Sequence, residues 1–353
     1  MTCLSLGGTR HGEAVAVQPS QQGRGRVKVI GTRLDVQRVY RCVTTTTILM
    51  VTADAEARMG DWAMIGVPSS AGAHHAGQER APDALRAAGL AGRLAAAGES
   101  VQDLGNLPEA PFAVDHRHPG ARNLDAVARV AREVADAVAD VAGTGRLPLV
   151  VGGDCTITLG VIAGFRRGHP DVGLVYVDGD ADVGLPDSGG SGIFDSMGVS
   201  HLLGRGAPEL TGLGGALPLL EGARLAIVGA DPRETDDAGR AYLAGAGVSL
   251  QEAPAFVADP EGAAARAMAA ATAGGPVVVH FDVDVIDSGD LPLGNFPHYG
   301  SGVLLEHVIA CLRVLRHHRS FAGLILTEVN PTHDADGSQL SRYVDGLARA
   351  LAA

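Results

Sequence analysis

From residue 62 onward, short apolar runs alternate with longer stretches in which apolar positions recur every three to four residues. The runs lie at 62–68, 147–151, 173–177, 225–228, 276–282 and 323–327, and they lack a strict alternation of apolar and polar residues. That reads as strands buried on both faces. The longer stretches, at 81–97, 121–143, from about 157, and at 260–273, 303–317 and 338–352, predict helices. Strands that alternate with helices predict an α/β domain with a parallel sheet covered on both sides. Residues 1–58 differ, with no sustained period, a Gln21-Gln22-Gly23-Arg24-Gly25-Arg26 segment and threonines at 44–47. They read as a poorly ordered extension or a short β appendage, with Met50 as an alternative start. No linker or fixed-period repeat divides residues 59–353, so one domain is expected there.

Composition narrows the function. The 353 residues are 46% hydrophobic, enough for a sizeable core, and carry a net charge of -12 without a basic run, which argues against nucleic-acid binding. The four cysteines (Cys3, Cys42, Cys155, Cys311) show no CxxC spacing, so no disulfide framework is expected and a reducing cytoplasm fits. No apolar run approaches the eighteen or so residues that span a bilayer, and no membrane role is expected.

The polar clusters share one placement, just past the carboxyl end of an apolar run. Gly152-Gly153-Asp154-Cys155 follows one run, and Asp178, Asp180 and Asp182 follow the next. Asp282, Asp284 and Asp287 end a third run, and Glu328-Val329-Asn330-Pro331 a fourth. In open α/β sheets that edge carries the ligand site. In extended backbone, alternate side chains share a face, so Asp178, Asp180 and Asp182 would point one way, as would Asp282 and Asp284. Such a group is either a solvated acidic turn or a site whose repulsion a multivalent cation relieves, and carboxylates suit Mg, Ca or Mn. No Lys-Ser/Thr follows Gly152-Gly153, which excludes a phosphate loop, and no Gly-x-Ser-x-Gly elbow occurs.

These motifs, in this order from about residue 62 to the end, resemble the ureohydrolase family of arginase, agmatinase and relatives acting on guanidino compounds. The family's Gly-Gly-Asp-His appears as Gly152-Gly153-Asp154-Cys155, and its Asp-Ala-His-x-Asp as Asp178 to Asp182. Its Ser-x-Asp-x-Asp-x-x-Asp-Pro appears as His280 to Ser288, and Glu-x-Asn-Pro is intact at Glu328 to Pro331. The resemblance implies a three-layer α/β/α fold with a mostly parallel sheet and a binuclear Mn²⁺ centre. Asp178 and Asp282 would bridge the ions, Cys155 and Asp182 would complete one site, and Asp180 and Asp284 the other. A metal-bound hydroxide, oriented by Asp182, would attack a guanidinium carbon held by Glu328, giving urea or a urea-like product and an amine. The partner implied is a small cationic guanidino substrate, and the assembly implied is a homo-oligomer, a trimer or hexamer.

The departures matter as much. Cys155 and Asp180 stand where the family has histidine ligands. Cys155 is either a small buried residue or a thiolate ligand suited to Zn or Fe. In the loop that follows, Ser191 is kept, Ile193 replaces the Asn that reads the substrate carboxylate, and Asp195 replaces the proton-shuttling His. Asp195 therefore either takes over acid–base work or faces water. Glu234 falls near the residue that holds the substrate amine. His74 and His75 read as surface or as the mouth of the site, and His280 as a core histidine or a support for the ligands. The expectation is a metal-dependent hydrolase of a C–N bond in arginine, N-hydroxyarginine or a related amidine. The alternative is a silent or differently metallated member acting by ligand binding or oligomerisation.

Overall fold

The computed structural model describes residues 13–16, 28–33 and 60–352. In the first unit, β1 (Glu13–Ala16) and β2 (Lys28–Arg33) pair antiparallel. The rest of the expected extension over residues 1–58 lies outside the described residues.

The second unit is built on β3 (Asp61–Gly66), β4 (Ser100–Asn106), β5 (Leu147–Val151), β6 (Gly173–Val177), β7 (Leu225–Ala230), β8 (Ser249–Glu252), β9 (Val277–Asp282) and β10 (Phe321–Thr327). These form one sheet in the order β4-β3-β5-β10-β9-β6-β7-β8, with every pairing parallel. The helices are α1 (Ala81–Ala87), α2 (Leu90–Ala96), α3 (Leu124–Ala142), α4 (Ile157–Arg166), α5 (Gly198–Leu202), α6 (Pro208–Thr211), α7 (Asp237–Ala246), α8 (Ala253–Ala258), α9 (Pro260–Ala271), α10 (Leu305–His317) and α11 (Ser338–Leu351). No helix among the described residues is long and apolar enough to cross a membrane.

The strands are apolar throughout because successive side chains enter different cores. Val175 and Val177 of β6 join Val277, Val279 and Phe281 of β9 beneath α8–α11, α1 and α2. Leu174 and Tyr176, with Val278 and Ile325, face the opposite way, toward α3–α7. This is the three-layer α/β/α arrangement.

Two sequence expectations need correction. The helix expected over 81–97 is split, because Gly89 takes a left-handed turn (φ 80°) between α1 and α2. Strands β4 and β8 and helices α5, α6, α7 and α8 escaped the apolar pattern. The edge strand β4 is mostly exposed and polar, and β8 is only half-buried, so neither carries an apolar run.

The topology places the site. After β5 the chain crosses to β6, builds outward through β7 and β8, then returns to lay β9 and β10 between β6 and β5. The order reverses there, and the carboxyl ends of β5, β10, β9 and β6 end side by side. Registers Leu326 to Val151, Thr327 to Asp282 and Phe281 to Val177 bring the polar motifs to one level.

Candidate active site

A cavity of about 310 Å³ opens at this edge. Its wall includes Cys155, Asp178, Asp180, Asp182, Asp195, Glu234, Asp282, Asp284 and Glu328, and contains no Lys or Arg among the described residues. His74 and Asn295 also line it, whereas His75 is exposed.

The carboxylates arrive by turns, not by extended backbone. Strand β6 ends at Val177, and Asp178 Oδ1 accepts the Asp180 N–H at 2.6 Å. Strand β9 ends the same way, with Asp282 Oδ1 accepting the Asp284 N–H at 2.7 Å. These turns satisfy one oxygen of each leading aspartate and leave the other for the cavity. The two Oδ2 atoms meet Cys155. Its Sγ donates to Asp282 Oδ2 at 2.7 Å and lies 3.9 Å from Asp178 Oδ2. Cys155 is carried there by Gly152 and Gly153, whose φ values of 88° and 89° turn the chain sharply off β5. Asp154 is structural, accepting from Ser69 Oγ (3.2 Å), Gly72 N (3.0 Å) and Thr156.

Asp182, at φ 46°, accepts the Tyr176 hydroxyl at 2.6 Å. Asp195 is buried rather than water-facing, and its Oδ1 accepts the Cys155 N–H at 2.8 Å. Glu328, at φ 62°, is fixed by its N–H to Gly153 O at 3.1 Å and by Gln78 Nε2, which donates to Oε2. Non-glycine residues in this backbone region carry strain, which clusters at functional sites. Glu328 Oε1 is buried with no hydrogen-bond partner. Glu234 reaches the cavity from an exposed position, but Ser191 does not line it. Its exposed hydroxyl accepts the Ile193 N–H at 3.2 Å instead.

Two histidines complete the picture. His280 is fully buried, stacks on Tyr176 at 3.9 Å between ring centres, and pairs Nδ1 with Thr158 Oγ1 at 2.8 Å. Its Nε2 lies 3.4 Å from Asp178 Oδ2 and 3.7 Å from Cys155 Sγ. His298, which the motif reading missed, holds Nε2 3.4 Å from Asp180 Oδ2 and 3.8 Å from Asp284 Oδ2. No spacing in the sequence links His298 to the motifs. It comes from the loop between β9 and α10.

Burial, reinforced by the other carboxylates, pushes Asp178, Asp182, Asp195, Asp282 and Glu328 well above the usual carboxylate range. Burial likewise raises Asp284 to about 6. Burial works against charge on His298, but Asp180 and Asp284 outweigh it and raise the imidazole to about 9. Burial lowers His280 to about 3 and, with Asp282 beside it, raises the Cys155 thiol. A cluster so short of positive charge fits divalent cations. Cys155, Asp178, His280 and Asp282 bring ligand atoms within 4.8 Å of one another, as do Asp180, Asp284 and His298, and Cys155, Asp195 and Glu328. Asp182 stays outside these groups, on the Tyr176 hydroxyl.

The Arginase family pattern matches residues 60–353. Human arginase-1 is 28% identical over 299 residues, covering 80% of this chain and 88% of the relative. The Bacillus caldovelox arginase is 32% identical over 189 residues, 53% of this chain and 62% of that protein. The crystal structure of the latter superposes with a TM-score of 0.76 at 26% identity, covering 84% of this chain and 99% of that one. The fold is also similar to that of the proclavaminate amidino hydrolase of Streptomyces clavuligerus (TM-score 0.61, 21% identity, 84% and 92% covered). From its apolar runs to its strand-end motifs, the chain belongs to the Arginase family, a family of hydrolases.

Proposed function

We propose that this protein is a metal-dependent hydrolase of a C–N bond in a small cationic guanidino or amidino compound such as arginine, N-hydroxyarginine or a close relative. One observation carries the reading. Glu328 is buried in a cavity that holds carboxylates and, among the described residues, no Lys or Arg, and its Oε1 accepts from no backbone or basic group. A buried acceptor of this kind calls for a donor, and a guanidinium offers a planar set of them. When bound, divalent cations would lower the pKa of a water and polarise the carbon it attacks. Cys155, Asp178 and Asp282 on one side, and Asp180 and Asp284 on the other, are the residues that would hold them.

The remaining steps fall to the chain. Glu328 grips and orients the guanidinium. Asp195, whose carboxyl is raised by burial and by Asp154 and Asp182, is placed to give a proton to the departing nitrogen as the C–N bond breaks. Glu234 at the rim receives an amino group. Ile193, buried and apolar, offers no donor to a substrate carboxylate. That favours a substrate recognised through its cationic groups.

The test is incubation of purified protein, loaded with Mn²⁺ or Zn²⁺, with a panel of guanidino and amidino compounds. Release of urea or a urea-like product from at least one is expected. A metal-loaded protein that releases none from any overturns the reading and favours a member that only binds ligands, as Cys155 and Asp180 in place of histidines would allow.

A further inference from the structure

We propose that His280 and His298 are metal ligands. On this assignment His280 joins Cys155, Asp178 and Asp282 in a tetrahedral site for a thiophilic cation such as Zn²⁺, and His298 joins Asp180 and Asp284 in a second, harder site. The inference rests on the metal-centre part of the function proposed above, and not on its substrate.

Zinc bonds of about 2.3 Å to sulfur and 2.0–2.2 Å to nitrogen and oxygen, at tetrahedral angles, put donor atoms roughly 3.3–3.6 Å apart. The separations here are 3.9 Å for Cys155 Sγ to Asp178 Oδ2, 3.7 Å for Cys155 Sγ to His280 Nε2, and 3.4 Å for His280 Nε2 to Asp178 Oδ2. The last lies within that range and the first two slightly above it, whereas Cys155 Sγ to Asp282 Oδ2, at 2.7 Å, falls well below it because the thiol donates there. A cation takes that proton's place, and the proton leaves to solvent.

The His280 ring is oriented as ligating imidazoles are. With Nδ1–H assigned as donor to Thr158 Oγ1 at 2.8 Å, the Nε2 lone pair faces the cluster, and stacking on Tyr176 fixes the ring plane. Thr158 and Tyr176 lie on α4 and β6, so rigid elements hold the orientation. Soft sulfur and imidazole together select Zn²⁺ or Fe²⁺ over Mn²⁺.

The second site has its own observation. His298 is 3% exposed, and its Nε2 has no hydrogen-bond partner although it points at Asp180 and Asp284. His298 Nε2 meets both carboxylates only at ion-pair distances, and an ion among the three would give each of these donors a closer partner. This also explains how the chain dispenses with histidines at positions 155 and 180. The nitrogen donors enter from β9 and from the loop after it.

Cobalt(II) titration of the metal-free full-length protein tests both assignments without turnover. Two ions per chain are expected, one giving a thiolate-to-cobalt charge-transfer band and the intense visible absorption of tetrahedral cobalt. Cys155→Ser should abolish the charge-transfer band. His280→Asn, which can keep a hydrogen bond to Thr158, should weaken that site about tenfold or more while circular dichroism stays native. His298→Asn should remove the other ion and leave the band intact.

The proposal is overturned if wild-type protein shows only weak octahedral absorption with no thiolate band. It is equally overturned if His280→Asn and His298→Asn each bind two ions as wild type does. A wild-type protein with the full cobalt spectrum that hydrolyses nothing supports this assignment and counts against the substrate reading alone.

Discussion

Asp284→Asn, studied in cation-free protein, turns the electrostatics of the site into a stability measurement. In the fold, burial raises the Asp284 carboxyl from 3.8 to about 6, with Asp180 adding to the rise and His298 opposing it. Below pH 4 the group is protonated in both folded and unfolded chains and costs nothing. Between pH 4 and 6 the fold holds a proton that the unfolded chain has released, so wild-type stability falls as pH rises. Above pH 6 the full penalty applies. At about 1.36 kcal/mol per pKa unit, it is on the order of 3 kcal/mol.

The asparagine variant does not titrate there, so it should gain on wild type by roughly that amount between pH 4 and 7. Urea unfolding read by Trp62 measures it, since that residue is the single tryptophan and fully buried. Adding Zn²⁺ or Mn²⁺ at pH 7 should close most of that gap. At a hundredfold excess over the dissociation constant the wild type gains about 2.7 kcal/mol, and the variant, short of a ligand, gains less. A stability gap between the two proteins that stays flat or narrows from pH 4 to 7 would refute the reasoning.

Other expectations follow from the same geometry. Glu328→Gln removes a charge-assisted acceptor and should lower kcat/KM for a guanidino substrate roughly ten- to a hundredfold, with urea release as the assay. Asp195→Asn keeps an acceptor for the Cys155 N–H but carries no transferable proton. It should cost about a hundredfold or more in kcat while leaving KM close to wild type, and an unchanged kcat would remove Asp195 from proton delivery. Gly160→Val should destabilise by roughly 3 kcal/mol, because a Cβ there meets Ala131 O at 2.4 Å and Val134 Cβ at 2.8 Å where α4 crosses α3. Glu99→Ala takes away the buried acceptor of Gly60 N (2.7 Å), Trp62 Nε1 (2.8 Å) and Arg316 (3.2 Å). It should cost about 3 kcal/mol in thermal or urea unfolding.

The legible part of the fold was its centre. Strands β5, β6, β9 and β10 are buried on both faces, so they appear as unbroken apolar runs. Edges break that rule. Strand β4 pairs on one side only and presents Gln102, Asp103 and Asn106 to solvent, a pattern that reads as loop until its neighbour is known. Helix α1 gave the reverse error. Its apolar period runs on through Gly89, and only the positive φ shows that the axis turns.

The site divides along the same line. Asp178, Asp180, Asp182, Asp282, Asp284 and Glu328 were readable because each sits within a few residues of a strand end, and the sheet alone carries strand ends to a common edge. Alternation along extended backbone does not aim them, since Asp178 and Asp282 each close a hydrogen-bonded turn onto the aspartate two residues on. Ser191 and His298 depend on long loops, whose paths are set by whatever they happen to pack against. Ser191 therefore kept its place in the motif yet stays outside the cavity, while His298, with no motif at all, arrives 3.4 Å from Asp180. Spacing records contacts that one strand or turn enforces. A ligand delivered by a loop leaves no period behind, and it becomes visible only as a buried nitrogen aimed between two carboxylates.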